Sequence, residues 1–339
     1  VFGVTAPATP QLRALFALPP GLYDVIYAGY PRAQLERRVE IIGGPLDASA
    51  LSSFPRLHEV EVLFAGWQTP ALVAELLDRM PALRAVFYGA GSIKNIVTEA
   101  FWERGIPVTS AYQANAVPVA EYTHAAIMLS LKRVWHFERT AQREQKWPAY
   151  VEMPGAFRST VGLVSLGAIG RRVVEKLRLS DIQVVAYDPF VNEEVARQLG
   201  VRMLPLDELF RTADIVSLHT PWLKETEGLV TGALIETMKP NATLINTSRG
   251  AVIRENEMIE VLHRRPDLTA LLDVTFPEPP VAGSPLYTLP NVVLTPHIAG
   301  SMGEECRRMG AYMVEELDRF LAGQPMKWQI TREQAARMA

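Results

Sequence analysis

Cysteine is nearly missing from this sequence. Its 339 residues hold one, Cys306, so no internal disulfide can form, and a reducing, cytoplasmic setting is the expectation. A surplus of either charge is missing too. The 34 Lys and Arg against 37 Asp and Glu leave a formal net charge of -3, with no basic excess to draw the chain onto nucleic acid or an anionic membrane. Long apolar runs do not occur. The most apolar stretch, Ala116 to Leu131, is interrupted by Glu121 and His124, well short of the roughly 20 apolar residues of a membrane span. Val1 to Pro10 lacks the basic start and apolar centre of a secretion signal. Partners must therefore be read from local sites.

What is present is length and alternation. A chain of this size predicts two domains, each with its own core. From about residue 60 onward, short runs rich in Val, Ile and Leu alternate with helical spacing: Val60 to Ala65, Leu83 to Tyr88, Val161 to Leu166, Gln183 to Tyr187, Ile215 to Leu218, Thr243 to Asn246, Leu268 to Val274 and Asn291 to Leu294. Runs apolar on both faces suit parallel strands covered by helices on each side, which predicts open, doubly wound α/β sheets. Ala116 to Gln145 reads as one long helix and a shorter one bridging two lobes. Glu304 to Leu321 reads as a single helix stopped by Gly323 and Pro325. With no sheet of its own to join in the second lobe, this tail is expected to return to the first, making that lobe discontinuous: 1–115 plus 301–339, against 116–300.

The strongest local motif is V-G-L-V-S-L-G-A-I-G, Val161 to Gly170, a strand running into a glycine turn and a helix that starts near Ala168. Backbone N–H groups at such a helix start bind a pyrophosphate, and Gly167 lets the backbone come close. The usual fingerprint is G-x-G-x-x-G, whereas here Ser165 stands first, followed by Gly167 and Gly170. A Cβ there would cost on the order of 1 kcal/mol if the turn needs positive φ. The turn is weak evidence alone. Its context is the next strand, Gln183 to Tyr187, ending on Asp188, 21 residues beyond Gly167. An acid there can accept both hydroxyls of an adenosine ribose and would repel a 2'-phosphate, which favours NAD over NADP. An ordinary Asp-Pro turn remains the alternative.

Three further strand ends carry polar groups: Asn246 to Gly250 (N-T-S-R-G), Asp273 to Pro280 (D-V-T-F-P-E-P-P) and Thr295 to Gly300 (T-P-H-I-A-G). In order and spacing, these motifs and the glycine turn resemble the D-isomer-specific 2-hydroxyacid dehydrogenases, a family that includes glycerate, phosphoglycerate, lactate and formate dehydrogenases and glyoxylate/hydroxypyruvate reductases. The resemblance runs from about Val60 to Gln324. It implies two Rossmann-like domains, the first of them substrate-binding and the second dinucleotide-binding, and hydride transfer between NAD and C2 of a small D-2-hydroxy or 2-keto acid. It implies a homodimer and no metal.

The chemistry asks for matching residue types. Reducing a keto acid needs a proton donor at the carbonyl oxygen and a cation for the carboxylate or carbonyl. His297 suits the first role, because a neighbouring carboxylate favours imidazolium and Glu278 is available to orient its ring. Arg249 suits the second, since a guanidinium offers bidentate geometry. Without the family, Arg249 reads as a loop-to-sheet ion pair and Glu278 as a solvated charge. His219 also stands at a strand end, but the resemblance makes its loop a cofactor lining. Carried over position by position, Ala168 and Ile169 would supply pyrophosphate N–H groups. Thr220, Thr247 and Ser248 would line the cofactor channel, Asp273 would hold the carboxamide, and Gly300 closes the last motif. In the first lobe Y-G-A-G-S follows a strand, and Gly89, Ala90 and Gly91 would hold the substrate carboxylate. There the family's G-x-G-x-D-N gives way to Ile93 and Lys94 before Asn95. The altered loop and Ser165 also suit another class of protein, an NAD(H)-responsive binding protein of the corepressor type. An S-adenosyl ligand on the same turn would leave Arg249, Glu278 and His297 without a task.

Overall fold

Two all-parallel sheets organise the chain, in a computed structural model that describes residues 11–338. The reading of Val1 to Pro10 lies outside the described residues. Residues up to Asn115 pack with Ser301–Met338 as one compact unit, and Ala116–Gly300 form the other.

The sheet of the first unit contains β1 (Arg13–Ala17), β2 (Glu40–Gly43), β3 (Val62–Ala65), β4 (Ala85–Tyr88) and β5 (Val108–Ser110) in the order β2-β1-β3-β4-β5. Side chains alternate between two cores. Leu15, Leu63 and Val86 join one apolar cluster, while Phe16, Phe64 and Phe87 join the other, on the opposite face. The helix Glu304–Leu321 closes the second cluster with Met309, Met313 and Leu317. Beyond it, Ile330 N–H donates to the Val108 carbonyl at 2.9 Å, so the tail pairs with the β5 edge.

The second unit carries β6 (Thr160–Val164), β7 (Gln183–Tyr187), β8 (Arg202–Met203), β9 (Ile215–Leu218), β10 (Thr243–Asn246), β11 (Thr269–Leu272) and β12 (Val292–Leu294), ordered β12-β11-β10-β9-β6-β7-β8. Alternation again feeds two cores, with Leu244 and Leu272 on one face and Ile245 and Leu271 on the other. Strand order reverses between β6 and β9, which is where an open α/β sheet opens a ligand crevice outside its strand ends.

The doubly wound parallel fold is as the alternation predicts. Four strands escaped it, for physical reasons. β1 opens on a charged residue, Arg13, and runs almost directly into Pro19, β2 is an edge strand whose apolar residues are only partly buried, and β5 and β8 have three and two residues. The expected run Leu268 to Val274 pairs as a strand only over Thr269–Leu272, and the Asp273 carbonyl beyond it is taken by the His297 N–H. The long helix spans Tyr112–Leu131 and the shorter one Val134–Glu144.

Candidate active site

The glycine turn leaves β6 through Ser165, whose φ of 82° lies in the left-handed region, where an L side chain is strained. Gly167 then begins the helix Ala168–Leu177, whose N-terminus no side chain caps and whose first turn holds no acid. A Cβ on Gly167 would meet nothing nearer than Ser165 Oγ at 3.9 Å, so the space over the helix start is open, whereas one on Gly170 would stand 2.3 Å from the Ser165 carbonyl oxygen. This open, uncapped helix start, with Ala168 and Ile169 in its first turn, fits an anionic pyrophosphate. Asp188 lies alongside. Its Oδ2 accepts the Leu166 N–H at 2.8 Å and its Oδ1 the Phe190 N–H at 2.8 Å. The Asp-Pro turn and the tie to the glycine turn therefore coexist, and lone pairs remain on both oxygens for ribose hydroxyls.

The next loop is folded inward. His219 is buried, its Nε2 lies 3.1 Å from Ser217 Oγ, and burial pushes its pKa down to about 4. It is a neutral packing residue. Thr220 Oγ1 donates to the Val164 carbonyl at 3.3 Å. At the end of β10, Asn246 shapes N-T-S-R-G: its Oδ1 accepts the Ser248 hydroxyl and N–H at 2.8 and 3.0 Å, and its Nδ2 donates to the Arg249 carbonyl at 3.0 Å. Thr247 Oγ1 meets Thr123 Oγ1 at 3.0 Å. Arg249 donates to the Ser248 carbonyl at 2.6 Å. Burial lowers its pKa and the Glu278 charge opposes that shift, yet among the described residues no carboxylate forms an ion pair with it, Glu278 pairing with His297 instead. The loop-to-sheet ion pair open to it in the sequence is not formed. A Cβ on Gly250 would fall 2.0 Å from the Thr275 carbonyl carbon, so glycine is what lets the backbone after Arg249 pass against the Asp273–Pro280 loop.

Asp273 governs the remaining motif. Its Oδ1 accepts the Thr295 hydroxyl at 2.6 Å and the Ile298 N–H at 2.9 Å, its Oδ2 the Ala299 N–H at 2.9 Å, and its carbonyl the His297 N–H at 2.9 Å. The Tyr122 hydroxyl meets Thr295 from the long helix at 3.0 Å. This web holds the turn from Thr295 toward Gly300, including His297 at a left-handed φ of 54°. His297 Nδ1 then lies 2.6 Å from Glu278 Oε1. With Glu278 ionised, Nδ1 carries the ring proton and Nε2 faces away from the carboxylate as the exchangeable position. Both side chains are about half exposed and border a cavity of about 640 Å³ with Thr295, Pro296 and Tyr287.

In the first unit, Gly89 requires a correction. Its N–H donates to the Ala65 carbonyl at 2.9 Å and to the Tyr27 hydroxyl at 3.1 Å, so it has no donor left for a carboxylate. The Ala90 and Gly91 carbonyls accept from Ser110 Oγ, while their own N–H groups, and that of Ser92, have no partner among the described residues. Sequence reasoning missed Asn246, Tyr122, Tyr27 and Ser110, which touch the site only through other residues. Of these, only Asn246 lay inside a motif.

Known proteins resemble this chain over most of its length. D-3-phosphoglycerate dehydrogenase of Archaeoglobus fulgidus is 32% identical over 255 residues, 75% of this chain and 48% of that one. Its namesake in Bacillus subtilis is 32% identical over 273 residues, 80% of this chain and 51% of that one. The chain thus spans about half the length of the curated relatives it matches. A solved protein of Thermus thermophilus superimposes with a TM-score of 0.73 at 30% identity, covering 94% of this chain and 100% of the other. D-mandelate dehydrogenase of Rhodotorula graminis shares the fold, with a TM-score of 0.79 at 23% identity over 95% of this chain and 98% of that one. Residues 125–299, which hold the glycine turn, Asp188, Arg249, Glu278 and His297, match the NAD binding domain of the D-isomer specific 2-hydroxyacid dehydrogenases, and the chain belongs to that family.

Proposed function

We propose that this chain is a D-2-hydroxyacid dehydrogenase that interconverts a small 2-keto acid and the corresponding D-2-hydroxy acid, with His297 as general acid and base. The observation that carries this reading is the 2.6 Å contact between His297 Nδ1 and Glu278, in a loop held beside an arginine that has no carboxylate partner. NADH, when bound, supplies the hydride that C2 of the keto acid accepts. Gly167, Ala168, Ile169 and Gly170 hold its pyrophosphate, Asp188 its ribose, and Thr220, Thr247, Ser248, Asp273 and Gly300 line its channel.

Glu278 fixes the His297 tautomer so that Nε2 gives its proton to the carbonyl oxygen as negative charge develops there, and takes it back in the oxidation. In the reduction the reacting form is the imidazolium, whose Nδ1–H is donated to Glu278 and whose Nε2 proton is the one transferred. Arg249 lies in a desolvated loop, where a guanidinium interacts more strongly with a carboxylate or keto oxygen than it would in water. Ala90, Gly91 and the adjoining Ser92 offer N–H groups to the substrate carboxylate.

A homodimer in the cytoplasm belongs to the same proposal. The helix Val134–Glu144 buries none of its residues, and Trp147, Tyr150 and Phe157 after it are exposed apolar side chains of the kind a second copy covers. Light scattering at twice the chain mass is the expected result.

The first experiment is loss of NADH absorbance against a panel of small 2-keto acids, with NADPH in parallel. Turnover with NADH on any of them supports the reading and ranks the substrates. Faster turnover with NADPH counts against the role of Asp188. Binding of NADH with no turnover replaces the enzyme by an NAD(H)-responsive binding protein.

A further inference from the structure

Two buried hydroxyls outside every motif grip the loop that follows β4. Tyr27, immediately after the helix Pro20–Ile26, is fully buried. Its hydroxyl donates toward the Ala65 carbonyl at 2.7 Å, with the Phe87 carbonyl at 3.2 Å, and accepts the Gly89 N–H at 3.1 Å. Its oxygen lies so close that a Cβ on Gly89 would come within 2.5 Å of it. Burial pushes the phenol pKa above its usual range, so the hydroxyl keeps its proton. Ser110, the last residue of β5 and also fully buried, works from the other side. Its Oγ donates to the Ala90 carbonyl at 3.1 Å and to the Gly91 carbonyl, and accepts the Tyr112 N–H at 3.1 Å.

These bonds set which groups the loop presents. In a trans peptide the carbonyl and the following N–H point in opposite directions. With the Ala90 and Gly91 carbonyls drawn to Ser110, the N–H groups of Gly91 and Ser92 turn away from it. The Gly89 donor is already consumed. Successive N–H groups left without protein partners in a partly buried loop form a concavity that suits an anion. Ser110 thereby turns a flexible glycine stretch into a fixed pair of donors, while Tyr27 fixes where that stretch leaves the sheet.

We propose that Ser110 and Tyr27 are positioning residues for substrate: together they fix the orientation of the loop whose free N–H groups receive the carboxylate of the 2-keto acid. The inference rests on the dehydrogenase reading above. Neither side chain touches substrate. Each acts by limiting the orientations of the loop, so its loss weakens substrate binding while the hydride and proton steps keep their rates.

The test uses the full-length S110A and Y27F variants with two readouts. Steady-state kinetics on whichever keto acid the wild type reduces fastest should show KM for the acid raised about tenfold in S110A, as expected when uniform binding is lost. The kcat should stay within about threefold and NADH affinity, read by fluorescence, should not change. Y27F should move KM in the same direction by less, because the Ala65 carbonyl still holds the Gly89 N–H. Amide hydrogen exchange of the peptide spanning residues 87–95, without substrate, should be faster in both variants. A folded S110A with unchanged KM overturns the proposal, as does one in which kcat and NADH affinity fall along with substrate affinity. If the wild type reduces no acid of the panel, the dehydrogenase reading fails instead. Exchange then decides the grip on the loop by itself, and unchanged exchange at residues 90–92 in S110A overturns it.

Discussion

Two histidines stand at strand ends in the second unit, and their surroundings separate them. His297 is half exposed beside Glu278, and His219 is buried beside a serine hydroxyl. Replacing His297 by Asn should lower kcat by about 10²–10⁴, the usual worth of a positioned proton donor, while NADH binding measured by fluorescence is retained. For His219 the expected effect is on stability. Its folded pKa of about 4 lies below the usual 6.5, so between these values the unfolded chain binds more protons than the native one. Stability therefore falls as pH drops from about 6.5 to 4, by up to about 3 kcal/mol from this group. Thermal unfolding from pH 7 to pH 4 should show a shallower decline in H219N than in wild type. The types and order of His297, Glu278 and Arg249 were legible in the sequence, because catalytic chemistry restricts residue type. Tyr27 and Ser110 were not. A buried hydroxyl that bonds to backbone looks, in sequence, like any other core residue.

At the scale of elements, the turn after β6 holds strain that the sequence flagged through Ser165 and that the backbone bears out with its positive φ. Ser165→Gly should raise stability by about 1 kcal/mol, within the range for relieving a left-handed L residue. The 3.4 Å contact from Ser165 Oγ to Asp188 is too long to offset much of that gain, so the midpoint in urea should increase. The turn over Thr295–Gly300 responds in the opposite sense. Asp273→Asn leaves one oxygen to accept bonds where two now accept three, and its amide nitrogen would face the Ala299 N–H. Both kcat and thermal stability should fall, with a loss of about 2 kcal/mol or more from the buried unsatisfied donor. A variant with normal kcat would show that His297 does not depend on this web. The motif letters marked these loops, but not the bonds inside them. Asp273 is expected from the resemblance to hold the carboxamide, and only the structure shows its carboxylate taken up by Thr295, Ile298 and Ala299.

For the whole molecule, alternating apolar runs made the parallel sheets legible, and the lack of a sheet partner for the last helix pointed to its return. The short strands β5 and β8 escaped notice because two or three residues hold no period. A fragment of residues 116–300 contains every strand of its sheet and both of its apolar clusters, and should unfold cooperatively and bind NADH in calorimetry. The first unit has no such continuous fragment, since residues 11–115 lack the returning helix that completes their core. Met309, Met313, Val314 and Leu317 are buried in its core, at about 1.5–3 kcal/mol each, and their sum rivals the stability of a domain.

The placement of that helix also bears on how the protein is made. Synthesis runs from the N-terminus at about 5–20 residues per second, so the residues between Asn115 and Ser301 delay the closing helix by about 10–40 s. During that interval Phe16, Phe64 and Phe87 lack the methionines that cover them, whereas the unit made in between can already fold. Of the two units, the one whose synthesis begins earlier is thus completed later, and it is the one that a chaperone has time to hold.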